Sequence, residues 1–301
     1  MTKFRIDRRI PSANGVLDAF VGSDPFADRH VILKRLCAPW NAVPALALQL
    51  QSMAKSFPSI DGIVRITDVG VVDEVPWLVH DFVDGESLRQ LFTRANAISV
   101  RLSVCEILAI VRQIAHRLKA LHREGSSHGD VCPATVLITR QGEARIADGG
   151  VAATIVHVTN TGPPRAEPLF ISPEQFEGAS GHASDVFRLG LILFEGLTGT
   201  SFFLGHDFQD ALESCQRHTG YVRKPGQRIS SSMTPLLEAM LKPRPADRPP
   251  MKRVAQWLDD AAHQAKCRDG GVEVAELFQR LFAERSTATE VSQTQVREID
   301  L

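Results

Sequence analysis

Near residue 85 the hydrophobic pattern of this chain changes period, which restricts the fold to a sheet-rich part followed by a helical part. Before it, "VLDAFVG", "HVILKRL" and "IVRITDVGVV" are short runs rich in β-branched residues and broken by Gly, Pro and Asp, the pattern of an antiparallel sheet. One helix interrupts them, because "AVPALALQLQSMAKSF" strings together strong helix formers after a Pro44 start. After "VDGESL", the segments "SVCEILAIVRQIAHRLKALHREG", "ASDVFRLGLILFEGLTG", "SMTPLLEAMLK" and "MKRVAQWLDDAAHQAKC" repeat apolar residues every three or four positions. The expected class is α+β and bilobal: a small antiparallel β-rich N-lobe with one helix (residues 1–84) and a larger, mainly helical C-lobe (residues 85–269). Residues 270–301 open with an amphipathic helix, "VEVAELFQRLFAE", and end in a polar tail too poor in apolar residues to fold alone. The stripe Val274, Leu277, Phe278, Leu281 and Phe282 has two readings: it packs back on the C-lobe, or it meets a partner protein.

Charge narrows the partners. The 301 residues carry 34 Lys and Arg against 35 Asp and Glu, with no long basic run, so the footprint of a nucleic-acid binder is missing. Cys37, Cys105, Cys132, Cys215 and Cys267 are scattered and form no CxxC pair, which suits reduced thiols better than a disulfide frame or a zinc site. The start, "MTKFRIDRRIPS", has no apolar signal region, and "LGLILFEGL" is too short to span a bilayer and carries Glu195. A cytoplasmic protein with no membrane span is expected.

The chemistry-bearing stretch is "SSHGDVCPATVLITRQGEARIADGGVA", where Asp130 and Asp148 stand in two turns separated by a hairpin. Read with its neighbours, it falls into an ordered set of motifs. "DPFADRHVILKRL" resembles the third-strand V-A-I-K segment of protein kinases, and "PWLVHDFVDGESL" the strand leading into the hinge between lobes. "HGDVCPAT" stands where H-R-D-x-x-x-x-N belongs, "ADGG" where D-F-G belongs and "FISPEQF" where A-P-E belongs. "SDVFRLGLILFEGLTG" is similar to the long buried helix of the large lobe, and "LKPRPADRP" to the closing turn whose Arg248 would pair with Glu174. Over roughly residues 4 to 260 the chain thus resembles the bacterial relatives of eukaryotic Ser/Thr protein kinases. The resemblance implies that Lys34 meets the α- and β-phosphates of ATP, Asp148 holds Mg²⁺ and Asp130 accepts the hydroxyl proton. It also places Gly15, Ile32, Asp81 and Val83 around the nucleotide, and Thr135 at the second metal-ligand position.

Around those charges the chain departs from the family. "IPSANGVLDAFVG" keeps only Gly15 of the phosphate loop, with Pro11 and Ala13 in glycine places. No acidic residue lies between Lys34 and Asp61 to aim the lysine; Gln49 or Gln51 stands in the expected place. Thr135 replaces an asparagine, Cys132 a lysine that touches the transferred phosphate, and Glu167 a substrate-positioning threonine, which sets a carboxylate towards Asp130. Gly149 replaces an aromatic that links the lobes, and Ile32 an alanine at the roof of the adenine pocket. Gly129 replaces the arginine that reads a phosphorylated activation loop, so Thr154, Thr159 and Thr161 cannot switch the domain by that route.

These losses touch every subsystem of phosphoryl transfer, and the reading they favour is a pseudokinase: a kinase-shaped regulatory or scaffolding module with protein partners and weak or no binding of ATP and Mg²⁺. The alternative is an active but atypical Ser/Thr kinase resting on Lys34, Asp130 and Asp148. The H-G-D spelling also occurs in small-molecule phosphotransferases, a reading ranked last because "FISPEQF", "SDVFRLG" and "DRP" are protein-kinase features.

Overall fold

Alternation sets the inner face of the first strand, β1 (Lys3–Ile10), where Phe4 and Ile6 are buried while Lys3 and Arg5 face solvent. A computed structural model describes residues 3–10, 16–159, 167–203, 205, 208–219, 229–230, 232–283 and 297–300. Strands β2 (Leu17–Asp24) and β3 (Arg29–Leu36) follow, then helix α1 (Pro44–Ser56) with proline in its first turn, then β4 (Ile66–Val72) and β5 (Val75–Asp81). These strands build an antiparallel sheet in the order β4-β5-β3-β2-β1, extended at its edge by a strand from the far end of the chain. Leu46 and Leu50 of α1 pack on one face of the sheet with Leu17, Leu36, Val69 and Leu78.

Past the lobe junction come β6 (Gly85–Ser87) and α2 (Leu88–Ala97), then α3 (Val104–Arg123). Helix α3 begins with a reciprocal capping box between Ser103 and Glu106 and buries Ile107, Ile110, Ile114, Leu118 and Leu121. The hairpin β7 (Val136–Thr139) and β8 (Ala144–Ile146) separates the two aspartate turns and pairs with β6. Helices α4 (Val151–Thr159), α5 (His182–Thr198), α6 (Phe208–Gln216), α7 (Thr234–Met240) and α8 (Met251–Gln264) complete the C-lobe. Its core joins α3 to Phe187, Leu191 and Phe194 of α5 and to Val254 and Leu258 of α8. Arg248 makes the expected ion pair, Nη1 to Glu174 Oε1 at 2.7 Å and Nη2 to Oε2 at 2.8 Å, and also binds the Ala183 and Pro243 carbonyls.

Helix α9 (Gly270–Phe282) packs back on the C-lobe: Val274, Leu277, Phe278 and Leu281 belong to its core, with Phe282 against them. The tail supplies a strand that its composition did not announce. Strand β9 (Arg297–Asp300) pairs antiparallel with β1, opposite Lys3 to Ile6, and Ile299 is buried beside Phe4, Ile6 and Trp77. The expectation of five reduced thiols is also corrected. Cys105 and Cys267, 162 residues apart in sequence, form a disulfide with Cα atoms 5.2 Å apart, while Cys37, Cys132 and Cys215 are free. Linear spacing hid the pair because the start of α3 and the α8–α9 connection meet only through packing of α3 on both helices. Among the described residues no helix is long and apolar enough to cross a membrane.

Candidate active site

The fold brings Lys34, Asp130 and Asp148 to the junction of the lobes. Lys34 comes from β3, where its backbone pairs with Ala19 and Leu78, and Asp148 from the turn after β8. Asp148 adopts φ 67°, a left-handed conformation that costs free energy in a non-glycine residue and persists where the surroundings enforce it. Asp130 follows His128 and Gly129, whose backbone N–H groups donate to the buried carboxylate of Asp185 at 2.8 and 2.9 Å. His122 Nε2 stands 2.9 Å from the same carboxylate. Burial opposes charge on Asp185, but these hydrogen bonds outweigh it and hold its carboxyl below the ordinary range.

Lys34 and Asp148 occupy each other. Lys34 Nζ donates to both carboxylate oxygens, at 2.7 and 2.6 Å; the Asp148 side chain is buried and that of Lys34 half-buried. Burial alone would raise the Asp148 pKa; Lys34 above all reverses this and keeps the carboxyl below its usual range. Neither glutamine of α1 aims the lysine: Gln51 Nε2 donates to the Val69 carbonyl at 3.0 Å, and Gln49 is exposed. Asp130 is likewise taken. Arg188 of α5, 3 % exposed, forms a short ion pair with it through Nη2 and donates to the Val131 carbonyl at 2.9 Å and to Gln175 Oε1 at 3.1 Å.

Thr135 turns its hydroxyl into the loop. Its proton is shared by the Asp130 and Cys132 carbonyls at 2.7 and 3.1 Å, and its oxygen accepts the Cys132 N–H at 3.1 Å. In this arrangement Asp148 is paired with Lys34 and the Thr135 hydroxyl is spent on the loop backbone, so neither stands as a free metal ligand. Cys132 is fully buried, and burial raises its pKa, so the thiol supplies no charge to a phosphate.

The remaining predicted positions frame the cleft. Ile32 stands half-buried across from Val21 and His80 in the sheet. Asp81 pairs with Arg29 at 2.9 Å and lies 3.5 Å from Arg65, and Val83 is half-buried in the connection between lobes. Gly15, with Pro11 and Ala13, lies outside the described residues, as does Thr161. Glu167 is not a bare charge facing Asp130: Arg89 Nε and Nη2 hold its two oxygens, each at 3.0 Å, and Arg89 also binds Glu195 at 2.7 Å.

Three features escaped the sequence reading. His80 on β5 is 1 % exposed, both ring nitrogens lack a hydrogen-bond partner, and Nε2 stands 3.5 Å from Asp148 Oδ1. Burial first, then the Lys34 charge, pushes its pKa down to about 3, so the ring is neutral. The activation segment begins as a helix: Val151 and Ile155 of α4 enter the N-lobe core beside Leu46 and Leu50, and the apolar spacing of "VAATIVHV" was the available signal. Lastly, the aromatic link missing at Gly149 is supplied from the opposite side. A Cβ on Gly149 would lie 2.6 Å from Phe57 Cζ, so the Phe57 ring, just past α1, fills that space. A cavity of about 210 Å³ remains beside Asp130, walled by Ala152, Ala153, Val156 and His157 of α4 and by Gln175 and Arg188.

Residues 48–258 match the protein kinase domain family. The chain is 31 % identical to the probable serine/threonine-protein kinase PknB of Lactococcus lactis over 209 residues, covering 67 % of this chain and 32 % of the relative. To the serine/threonine-protein kinase PrkC of Bacillus subtilis it is 27 % identical over 231 residues, covering 75 % of this chain and 35 % of the relative. It thus spans about a third of the length of these two relatives. The crystal structure of the Mycobacterium tuberculosis PknI kinase domain superposes with a TM-score of 0.67 at 23 % identity, covering 87 % of this chain and 98 % of that one, which shows a shared fold. A family match over more than half of the chain, on a bilobal frame that gathers Lys34, Asp130 and Asp148 at one junction, means that this chain belongs to the protein kinase domain family.

Proposed function

We propose that the domain is a pseudokinase: a kinase-fold module, acting in bacterial signalling in the cytoplasm, that works through protein contacts and not through phosphoryl transfer. The observation that carries this reading is the mutual occupation of the transfer residues, Lys34 with Asp148 and Arg188 with Asp130. Phosphoryl transfer needs those charges directed at the phosphates, a metal and an acceptor hydroxyl. Here each is spent on a neighbour. The loss of the aiming acid, of the second metal ligand and of the lysine at position 132 supports the same conclusion.

The full chain incubated with γ-labelled ATP and Mg²⁺ is expected to transfer no label to itself or to a generic basic protein. Label transfer that disappears in Asp130→Ala would overturn the proposal. Thermal unfolding with ATP and Mg²⁺, singly and together, adds a second readout. A ligand at about a hundred times its Kd stabilises by about 2.7 kcal/mol, which moves the midpoint by several degrees. No shift that requires both together is expected.

One observation favours a second reading, an atypical active kinase captured in its off state. Lys34, Asp148 and Asp130 are all retained at one junction, and Asp148 is held in a costly backbone conformation of the kind found at working sites. A midpoint shift seen only with ATP and Mg²⁺ together would favour it.

A further inference from the structure

Away from the cleft, the C-lobe gathers a different set of groups. Cys105 stands in the first turn of α3, Cys267 between α8 and α9, and Glu273 in the first turn of α9. Their sulfur and carboxylate atoms all lie within 4.8 Å of one another. Glu273 is 8 % exposed, and the two halves of its carboxylate differ. Oε1 accepts the Arg268 N–H at 3.1 Å, a contact that suits an acid at the start of a helix. Oε2 is buried with no hydrogen-bond partner. A cystine has no proton to offer it, so the disulfide form leaves this oxygen unexplained.

We propose that when the Cys105–Cys267 disulfide is reduced, the two thiolates and Glu273 bind one zinc ion. A dithiol reductant delivers two electrons and two protons, is itself oxidised to a disulfide, and leaves two thiols; zinc then displaces their two protons to the solvent. Two thiolates and a carboxylate are ligands that zinc accepts, with water in the fourth tetrahedral position. Zinc–sulfur bonds of about 2.3 Å set two bound sulfurs roughly 3.8 Å apart, a separation that side-chain rotation reaches from Cα atoms 5.2 Å apart. The Arg268 guanidinium meets Glu276 through Nη2 at 2.5 Å, and its Nε lies 3.7 Å from Glu273 Oε1, on the half of the carboxylate that already has a partner. The site is independent of whether the kinase cleft is active.

The test uses the full chain, reduced with a dithiol, freed of it without air, and titrated with Co²⁺ and then Zn²⁺. One equivalent of Co²⁺ is expected to bind with thiolate charge-transfer absorption and to be displaced by Zn²⁺, while the oxidised chain binds none. Glu273→Gln should weaken binding by at least about tenfold, a loss that even outer-shell partners of a metal produce; Glu276→Gln should leave it unchanged. In the unsubstituted reduced chain, zinc should protect Cys105 and Cys267 from alkylation, a readout that needs no variant to fold. No uptake by the reduced chain, equal uptake by Cys105→Ser, or unchanged affinity in Glu273→Gln would each overturn the proposal.

Discussion

Arg188 and Asp130, 58 residues apart in sequence, meet as an ion pair that ties the buried helix α5 to the catalytic loop. The pair does two things at once. It neutralises the carboxylate that would serve as base, and through the Val131 carbonyl and Gln175 it anchors the loop that carries that carboxylate.

Arg188→Leu is therefore expected to lower unfolding free energy by about 3–5 kcal/mol, because it strands a largely buried carboxylate. Asp130→Asn, which still accepts a hydrogen bond from the guanidinium, should cost only about 1–2 kcal/mol. Urea unfolding of both variants checks the order. A small cost of Arg188→Leu, no larger than that of Asp130→Asn, would mean that Arg188 acts through its apolar stem and not through its charge.

Phe57 and Gly149 form a second relationship that fixes the lobes. The backbone of Gly149 is not in the left-handed region, so Gly149→Ala tests sterics alone: its Cβ would press on the Phe57 ring at 2.6 Å from Cζ and 2.9 Å from Cε1. An overpacking cost of about 1–3 kcal/mol is expected. Phe57→Ala, which removes a half-buried ring, should cost about 2 kcal/mol, somewhat below the range for fully buried aromatics. The double variant should cost less than the sum, since alanine at 149 no longer meets a ring. Additive costs in thermal unfolding would show that the two residues do not touch.

How much of this could be read from the sequence depends on which contacts are local. The strands, α1, α3, α5 and α8 were legible because each carries its own period, and the kinase motifs because their order along the chain is itself the signal. Pairings between distant residues were not. Nothing in "SDVFRLG" says that Arg188 turns back to Asp130, and nothing in "AKSFP" around Phe57 says that its ring fills the gap at Gly149. His80 reads as an ordinary strand residue until the sheet sets it beside Asp148. The tail strand β9 is stable only against β1, so its composition alone described it as unfolded.

The buried histidines make stability depend on pH above the range in which the lowered carboxyls of Asp148 and Asp185 titrate. His80 keeps its ring neutral in the folded chain down to about pH 3, whereas the unfolded chain takes up a proton near the ordinary value of 6.5. His128 is depressed in the same direction by burial. Below that ordinary value the unfolded state binds more protons than the folded one, so stability falls as pH falls. The lowered carboxyls of Asp148 and Asp185 contribute stability that is complete above their ordinary value of 3.8 and is lost below it, outside this window. Between about pH 7.5 and about pH 5.5, His80 alone should remove about 1.4 kcal/mol. His80→Leu is expected to flatten the pH dependence of urea unfolding by that amount. An unchanged slope would show that His80 is protonated in the folded chain.

The edge pairing of β9 on β1 predicts a coupling between the end of the chain and the N-lobe core. Ile299 is 3 % exposed and packs with Phe4, Ile6 and Trp77, whose indole stands 5.6 Å from the Phe20 ring. Ile299→Asp sets a carboxylate into that apolar cluster, where it finds no partner of opposite charge in the cluster, and the strand should leave the sheet edge instead of burying the charge. Such a release exposes the β1 edge and the Phe4–Ile6 face to water. Protection of the β1 amides against hydrogen exchange should fall, while the amides of α3 in the C-lobe core keep theirs. Ile299→Val, which keeps shape and polarity, should leave both unchanged to within a small packing loss of about 0.5–1.5 kcal/mol. Undiminished protection of β1 in Ile299→Asp would mean that the strand is dispensable to the sheet, and that the N-lobe core is closed by β1 to β5 alone.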